Sequence, residues 1–154
     1  MKKFIFFTLI FISIALTICM AEDTLPNTVR FVDNKDGTIT DSLTGLMWER
    51  VPTSKEMYWH NAMDYCDKLE LAGYSDWRPP EIEELESLIK KGSKDSGSWL
   101  NTQGFSNVQS NYYWSATDYA PRTAYAWYVC MYSGNVDYGG KARSYRVWAV
   151  RAGQ

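Results

Sequence analysis

Residues 73–91, GYSDWRPPEIEELESLIKK, constrain the fold of this chain more than any other stretch. Gly73, Ser75 and Asp76 are turn formers. Arg78 precedes a proline, which pushes it toward extended backbone. Pro80 takes a first helical position, where its missing N–H costs nothing. Glu81, Glu83 and Glu84 load the first turn with negative charge, Lys90 and Lys91 load the last with positive, and Gly92 follows as a stop; that order complements the helix macrodipole. Ile82, Leu85, Leu88 and Ile89 form one apolar stripe. The stretch predicts a turn, a short extended passage and a helix lying on a core, with Trp77 anchoring its start. The glutamates, Glu86 included, read as the solvated face of that helix rather than as acid–base groups.

The 154 residues suit one domain with one core. Residues 1–21 read as a secretory signal peptide: Lys2 and Lys3 precede an apolar run, and Cys19 and Ala21 are small enough for a cleavage site. A membrane anchor and a lipid-modified Cys19 are the alternatives, the second opposed by bulky Ile18. Cleavage removes two lysines and no acid, taking the net charge from −2 to −4, and nothing points to nucleic acid. The domain then spans 29–152 behind a linker at 22–28, and its location is exported: periplasmic, cell-surface or secreted. Cys66 and Cys130 remain. In an exported chain such a pair suggests a disulfide, worth roughly 4 kcal/mol for so long a loop; two separate buried thiols are the alternative.

Residues 28–50 read as a β meander, with Asn34-Lys35-Asp36-Gly37 and Leu43-Thr44-Gly45 as its turns. The cluster Asp33, Asn34, Asp36 and Asp41 lacks EF-hand spacing and is expected to stabilise the turn rather than hold a metal. Thr53-x-x-Glu56 reads as a capping box opening a helix, whose buried face carries Trp59, Ala62, Met63, Cys66 and Leu69. His60, the single histidine, has no ligand or catalytic partner nearby and reads as a surface or packing residue. Residues 91–109 read as a long irregular connection with Trp99 and Phe105 as plugs. Strands follow at 112–115, 125–132 and 145–151, with Ser133-Gly134-Asn135 as a turn. In 125–132, Trp127, Val129 and Met131 alternate with Tyr128, Cys130 and Tyr132. This last third holds eight of the eleven tyrosines, set among Asn, Ser, Asp, Arg and Gly. Such a mixture suits a recognition surface, although half-buried strand tyrosines explain it equally well.

The segments 31–41 (FVDNKDGTITD), 44–48 (TGLMW), 73–78 (GYSDWR), 113–115 (YWS), 127–129 (WYV) and Val150-Arg151 resemble the Lcl C-terminal domain family, which takes its name from a bacterial collagen-like adhesin. The resemblance implies an exported bacterial domain; the namesake's domain is associated with glycosaminoglycan binding and trimer assembly. The element order is similar to the C-type-lectin-like fold, so the expected class is α+β, with two helices packed on a small antiparallel sheet and long irregular loops. In that fold a first-helix cysteine commonly bridges to the last strand, but Ala149 stands where that cysteine often occurs, leaving Cys130 as the implied partner of Cys66. Pro79 and Glu81 also depart from the family pattern, and Glu81 in place of a common Thr weakens the helix cap.

The expected function is a non-enzymatic, adhesin-like binding module without a cofactor, recognising a glycan, a glycosaminoglycan or a protein. The expected ligand-facing residues are Tyr119, Arg122, Tyr125, Asn135, Asp137, Tyr138, Lys141, Arg143 and Tyr145. A structural or assembly domain of the cell envelope, with a homo-oligomer as its partner reading, is the alternative. A formylglycine-generating-enzyme-like activity is the remaining reading. Contact with a membrane is expected only if Cys19 carries a lipid.

Overall fold

The computed structural model describes residues 29–153; the expected signal peptide, the linker and Cys19 lie outside the described residues. The elements run β1 Phe31–Asp33, β2 Thr38–Asp41, β3 Leu46–Glu49, β4 Met57–Tyr58, α1 Trp59–Asp67, α2 Ile82–Glu86, α3 Ser96–Thr102, β5 Tyr112–Asp118, β6 Tyr125–Cys130, β7 Val136–Gly140, β8 Ser144–Tyr145 and β9 Val150–Ala152. The strands make three antiparallel sheets, ordered β1-β2-β3-β9, β4-β8 and β5-β6-β7. The fold is α+β. Among the described residues no helix is long and apolar enough to cross a membrane.

The meander forms where the sequence places it. Lys35 and Gly37 adopt positive φ in its first turn, and the acidic cluster supplies the turn's hydrogen bonds. Asp33 accepts from the Lys35 N–H at 2.9 Å, and Asp36 accepts from the Thr38 N–H at 3.0 Å and hydroxyl at 2.6 Å. Buried Asp41 is held by the Arg30 guanidinium at 2.9 and 2.7 Å. Burial opposes its charge, but Arg30 and the Leu43 N–H prevail and keep its pKa below the ordinary carboxylate value.

Residues 73–78 act as a latch on the last strand. The Arg78 and Val150 main chains exchange two 2.9 Å hydrogen bonds. Asp76 takes the Arg151 guanidinium at 2.7 and 3.0 Å, while that guanidinium lies 3.8 Å over the Tyr74 ring. Trp77 is buried as expected, with its indole N–H donating to the Leu71 carbonyl.

The helices depart from the sequence reading in four ways. First, α2 spans five residues rather than the whole of 81–91. The Ser87 hydroxyl takes the Glu84 carbonyl at 2.6 Å and Arg30 takes the Ser87 carbonyl at 2.9 Å, so the chain tightens into turns. Second, Pro80 stands outside the helix and Glu81 is its N-cap. A hydroxyl reaches this helix start from β5: Thr117 accepts from the Ile82 N–H at 2.9 Å and donates to Glu81 at 2.6 Å, offsetting the weaker cap expected of Glu81. Third, Thr53 opens no helix. Its hydroxyl accepts from the Lys55 N–H, and residues 57–58 pair with 144–145, so α1 begins at Trp59. Fourth, the expected loop at 91–109 contains α3, capped by the Asp95 carboxylate on the Ser98 N–H at 3.0 Å. Trp99 and Phe105 do pack on Phe31.

The strands depart in two ways. The expected final strand at 145–151 is divided between β8 and β9, and β7 was not expected. Adjacent residues on several strands enter different apolar clusters. Trp48, Tyr113, Val129, Trp148 and Val150 join one beneath α2 and α3; Met47, Trp114, Ala126, Val147 and Ala149 join another with Ala62 and Cys66 of α1. The core is therefore double, with strands buried on both faces.

The expected Cys66–Cys130 disulfide is absent: both thiols are free. Cys66 is sealed in the α1 cluster, whereas Cys130 ends β6 opposite Tyr112 and joins neither cluster.

Candidate functional site

The expected ligand-facing residues divide into three groups around the β5-β6-β7 sheet. The alternation on β6 sends Tyr125 and Trp127 to one face and Tyr128 to the other. On the first face, Tyr119 stacks on Tyr138 with ring centroids 3.8 Å apart and planes 8° from parallel. Trp127 meets both rings edge-on at 5.4 and 5.8 Å, and Tyr125 meets Tyr138 at 6.1 Å. The Arg122 guanidinium lies 5.9 Å from the Tyr125 ring. The loop carrying Arg122 is closed on itself: Tyr119 N–H donates to the Tyr125 carbonyl, Arg122 N–H to Tyr119, and Tyr125 N–H to Arg122. Tyr138 is 40% exposed, so this patch reaches solvent.

On the opposite face, Tyr145 packs on Trp114 at 4.5 Å, Tyr128 at 4.9 Å and Tyr112 at 5.1 Å. Arg143 donates to the Tyr145 hydroxyl at 3.4 Å. Gly139 makes this packing possible, because a Cβ there would sit 3.2–3.3 Å from the Tyr128 and Tyr145 rings. Burial, with Asp137 adding to it, pushes the Tyr128 phenol up to about 12, so it stays a neutral donor.

Lys141 belongs to neither face. Its ammonium is 2.6 Å from Asp118 and 3.9 Å from the Trp59 ring centroid. Asn135 is exposed in the β6–β7 turn, where its carbonyl accepts from the Cys130 N–H, and Asp137 accepts from the Tyr138 N–H. The nine residues thus do not share one surface; the sheet separates Tyr119, Arg122, Tyr125 and Tyr138 from Arg143 and Tyr145.

A feature not expected from the sequence lies beside Lys141. A groove of about 640 Å³ is lined by Tyr58, His60, Asn61, Thr123, Ala124, Lys141 and Ala142. Three segments remote in sequence meet there, which is why no local pattern announced it. His60 is exposed at its rim, its ring edge-on to Trp59 at 5.0 Å.

The buried polar group that stands out is Glu49, 8% exposed. Burial pushes its carboxyl up to about 7 against the Tyr65 hydroxyl, which donates at 3.0 Å, and its other oxygen, Oε2, has no hydrogen-bond partner. Burial and then Glu49 raise the Cys66 thiol above its ordinary value, which disfavours the thiolate a reactive cysteine needs. Among the described residues no three His, Cys, Asp or Glu side chains group to hold a metal.

No curated protein matches the chain in sequence. Residues 37–151 match the Lcl C-terminal domain, which takes in every element from β2 to the centre of β9, and the chain belongs to the Lcl C-terminal domain family.

Proposed function

We propose that this is an exported, non-enzymatic binding module of C-type-lectin-like architecture, adhesin-like in recognising an extracellular glycan, a glycosaminoglycan or a protein. The observation that carries this reading is the Tyr119–Tyr138 stack with Arg122 beside it. Tyrosines give contact area at little rotamer cost, and the loop is fixed before a ligand arrives, which limits the ordering cost of binding. Arg122 has no carboxylate in ion-pair range among the described residues, so its fork is free for a sulfate or carboxylate. The buried Cys66 favours binding over thiol chemistry.

The test is an array of glycans, glycosaminoglycans and extracellular proteins, probed with and without calcium. Binding that falls about tenfold in Tyr138→Ala or Arg122→Ala supports the reading; no binder in either condition rejects it. An assembly role is the second reading, favoured by Val29, Val32 and Leu43, which are 67, 46 and 73% exposed around outer strand β1. Light scattering separates the two: a stable oligomer without ligand, dispersed by Val32→Asp, supports assembly.

A further inference from the structure

The groove beside Lys141 has a chemistry different from that of the tyrosine patches. Its one permanent charge is already answered, since Lys141 sits on Asp118 and caps the Trp59 ring. An anion therefore finds no free cation there. Its main chain is committed as well. The Trp59 N–H donates to the Lys141 carbonyl and the Lys141 N–H to the Ala124 carbonyl, while residues 57–58 are paired with 144–145. An extended peptide finds no open strand edge to join.

What remains free is neutral. Tyr58 is 56% exposed, and the side chains of Tyr58, His60, Asn61 and Thr123 make no hydrogen bond among the described residues. The methyls of Ala124 and Ala142 complete the lining. An aromatic plate beside an imidazole, a carboxamide and a hydroxyl complements a sugar ring: the C–H face packs on the phenol, and ring hydroxyls take the planar polar groups. The volume lies within the range of about 300–1,000 Å³ typical of small-ligand sites, and the open side lets a chain run past.

We propose that this groove binds a short segment of neutral oligosaccharide, with Tyr58 as stacking platform and His60 and Asn61 as hydroxyl partners. The inference rests on the binding-module reading but uses different residues, so the two fail separately. Neutral trisaccharides built from glucose, galactose or N-acetylglucosamine are titrated into the chain lacking residues 1–21, followed by tryptophan fluorescence and calorimetry, with a sulfated disaccharide as comparator. The expected result is saturable binding of at least one neutral trisaccharide, weakened about tenfold by Tyr58→Ala and several-fold by Asn61→Ala, and unchanged by Glu86→Ala on the exposed side of α2. Asn61 is exposed, so its variant tests the site even if Tyr58→Ala disturbs the β4-β8 pair. Binding of no neutral trisaccharide, or binding indifferent to Asn61→Ala and Tyr58→Ala, overturns the groove assignment. Binding of the sulfated disaccharide alone, lost in Arg122→Ala, overturns it too while leaving the binding-module reading intact.

Discussion

Glu49 couples this domain to pH. Its carboxyl titrates near 7 in the fold against an ordinary value of 4.5, so the folded state binds the extra proton between those values. The contribution of Glu49 to stability is therefore fully present below about 4.5, falls as pH rises through the window, and is lost above about 7, while the paired carboxylates Asp41 and Glu84, whose pKa values are lowered, act in the opposite sense at more acid pH. The expected loss between pH 5 and 8 is roughly 3 kcal/mol, readable from urea unfolding curves. Glu49→Gln is expected to flatten that profile and to be the more stable protein at pH 8. A second residue-scale expectation concerns the thiols. The unreduced domain, unfolded in guanidinium, should titrate two equivalents of thiol reagent, and the folded domain should react slowly at Cys66. Neither property was legible in the sequence. Glu49 ends an ordinary strand, and cysteine count with expected export suggests pairing without saying that Cys66 is sealed in the α1 cluster while Cys130 ends β6 outside both clusters.

The elements were read best where local chemistry decides them. The turn at 34–37, with its Asp, Asn and Gly, gave the meander its register, and the buried stripe Ala62–Cys66 was visible at helical spacing. Elements fixed by distant partners were misread. Residues 81–91 have helical charge order and periodicity, yet Arg30, 57 positions from Ser87, takes the carbonyl that a further turn would use. The cap judged weak at Glu81 is supplied by Thr117 on β5. Glu84 joins both halves of this junction, taking the Arg78 guanidinium at 2.7 and 2.6 Å and the Glu81 N–H at 2.8 Å. Glu84→Ala should lower the unfolding free energy by about 1–2 kcal/mol. Glu86→Ala, on the exposed side of the same helix, should change it by less than about 0.5 kcal/mol. Paired denaturation curves check both.

At the scale of the molecule, the aromatic wealth of the last third was evident, but its division was not. Alternation on 125–132 announced two faces; that both would be partly covered, one by the α2 side and one by the α1 side, depends on topology that no local pattern contains. The same topology makes β9 a closing piece, paired with β3 and latched by residues 76–78. A chain stopped before Val150 should lose its cooperative thermal transition and near-ultraviolet dichroism together, since Val150 sits in the larger cluster and Arg151 is mostly buried. The β1-β2-β3-β9 sheet has one more implication. Phe31 pairs with Asp41, Asp41 with Leu46 and Leu46 with Ala152, so the incoming and outgoing chain share one row, about 15 Å apart at ordinary strand spacing. A domain wired this way behaves as a cassette: it can be spliced into a loop of a host protein, or given new termini elsewhere by a short joint across that row, without its interior having to change.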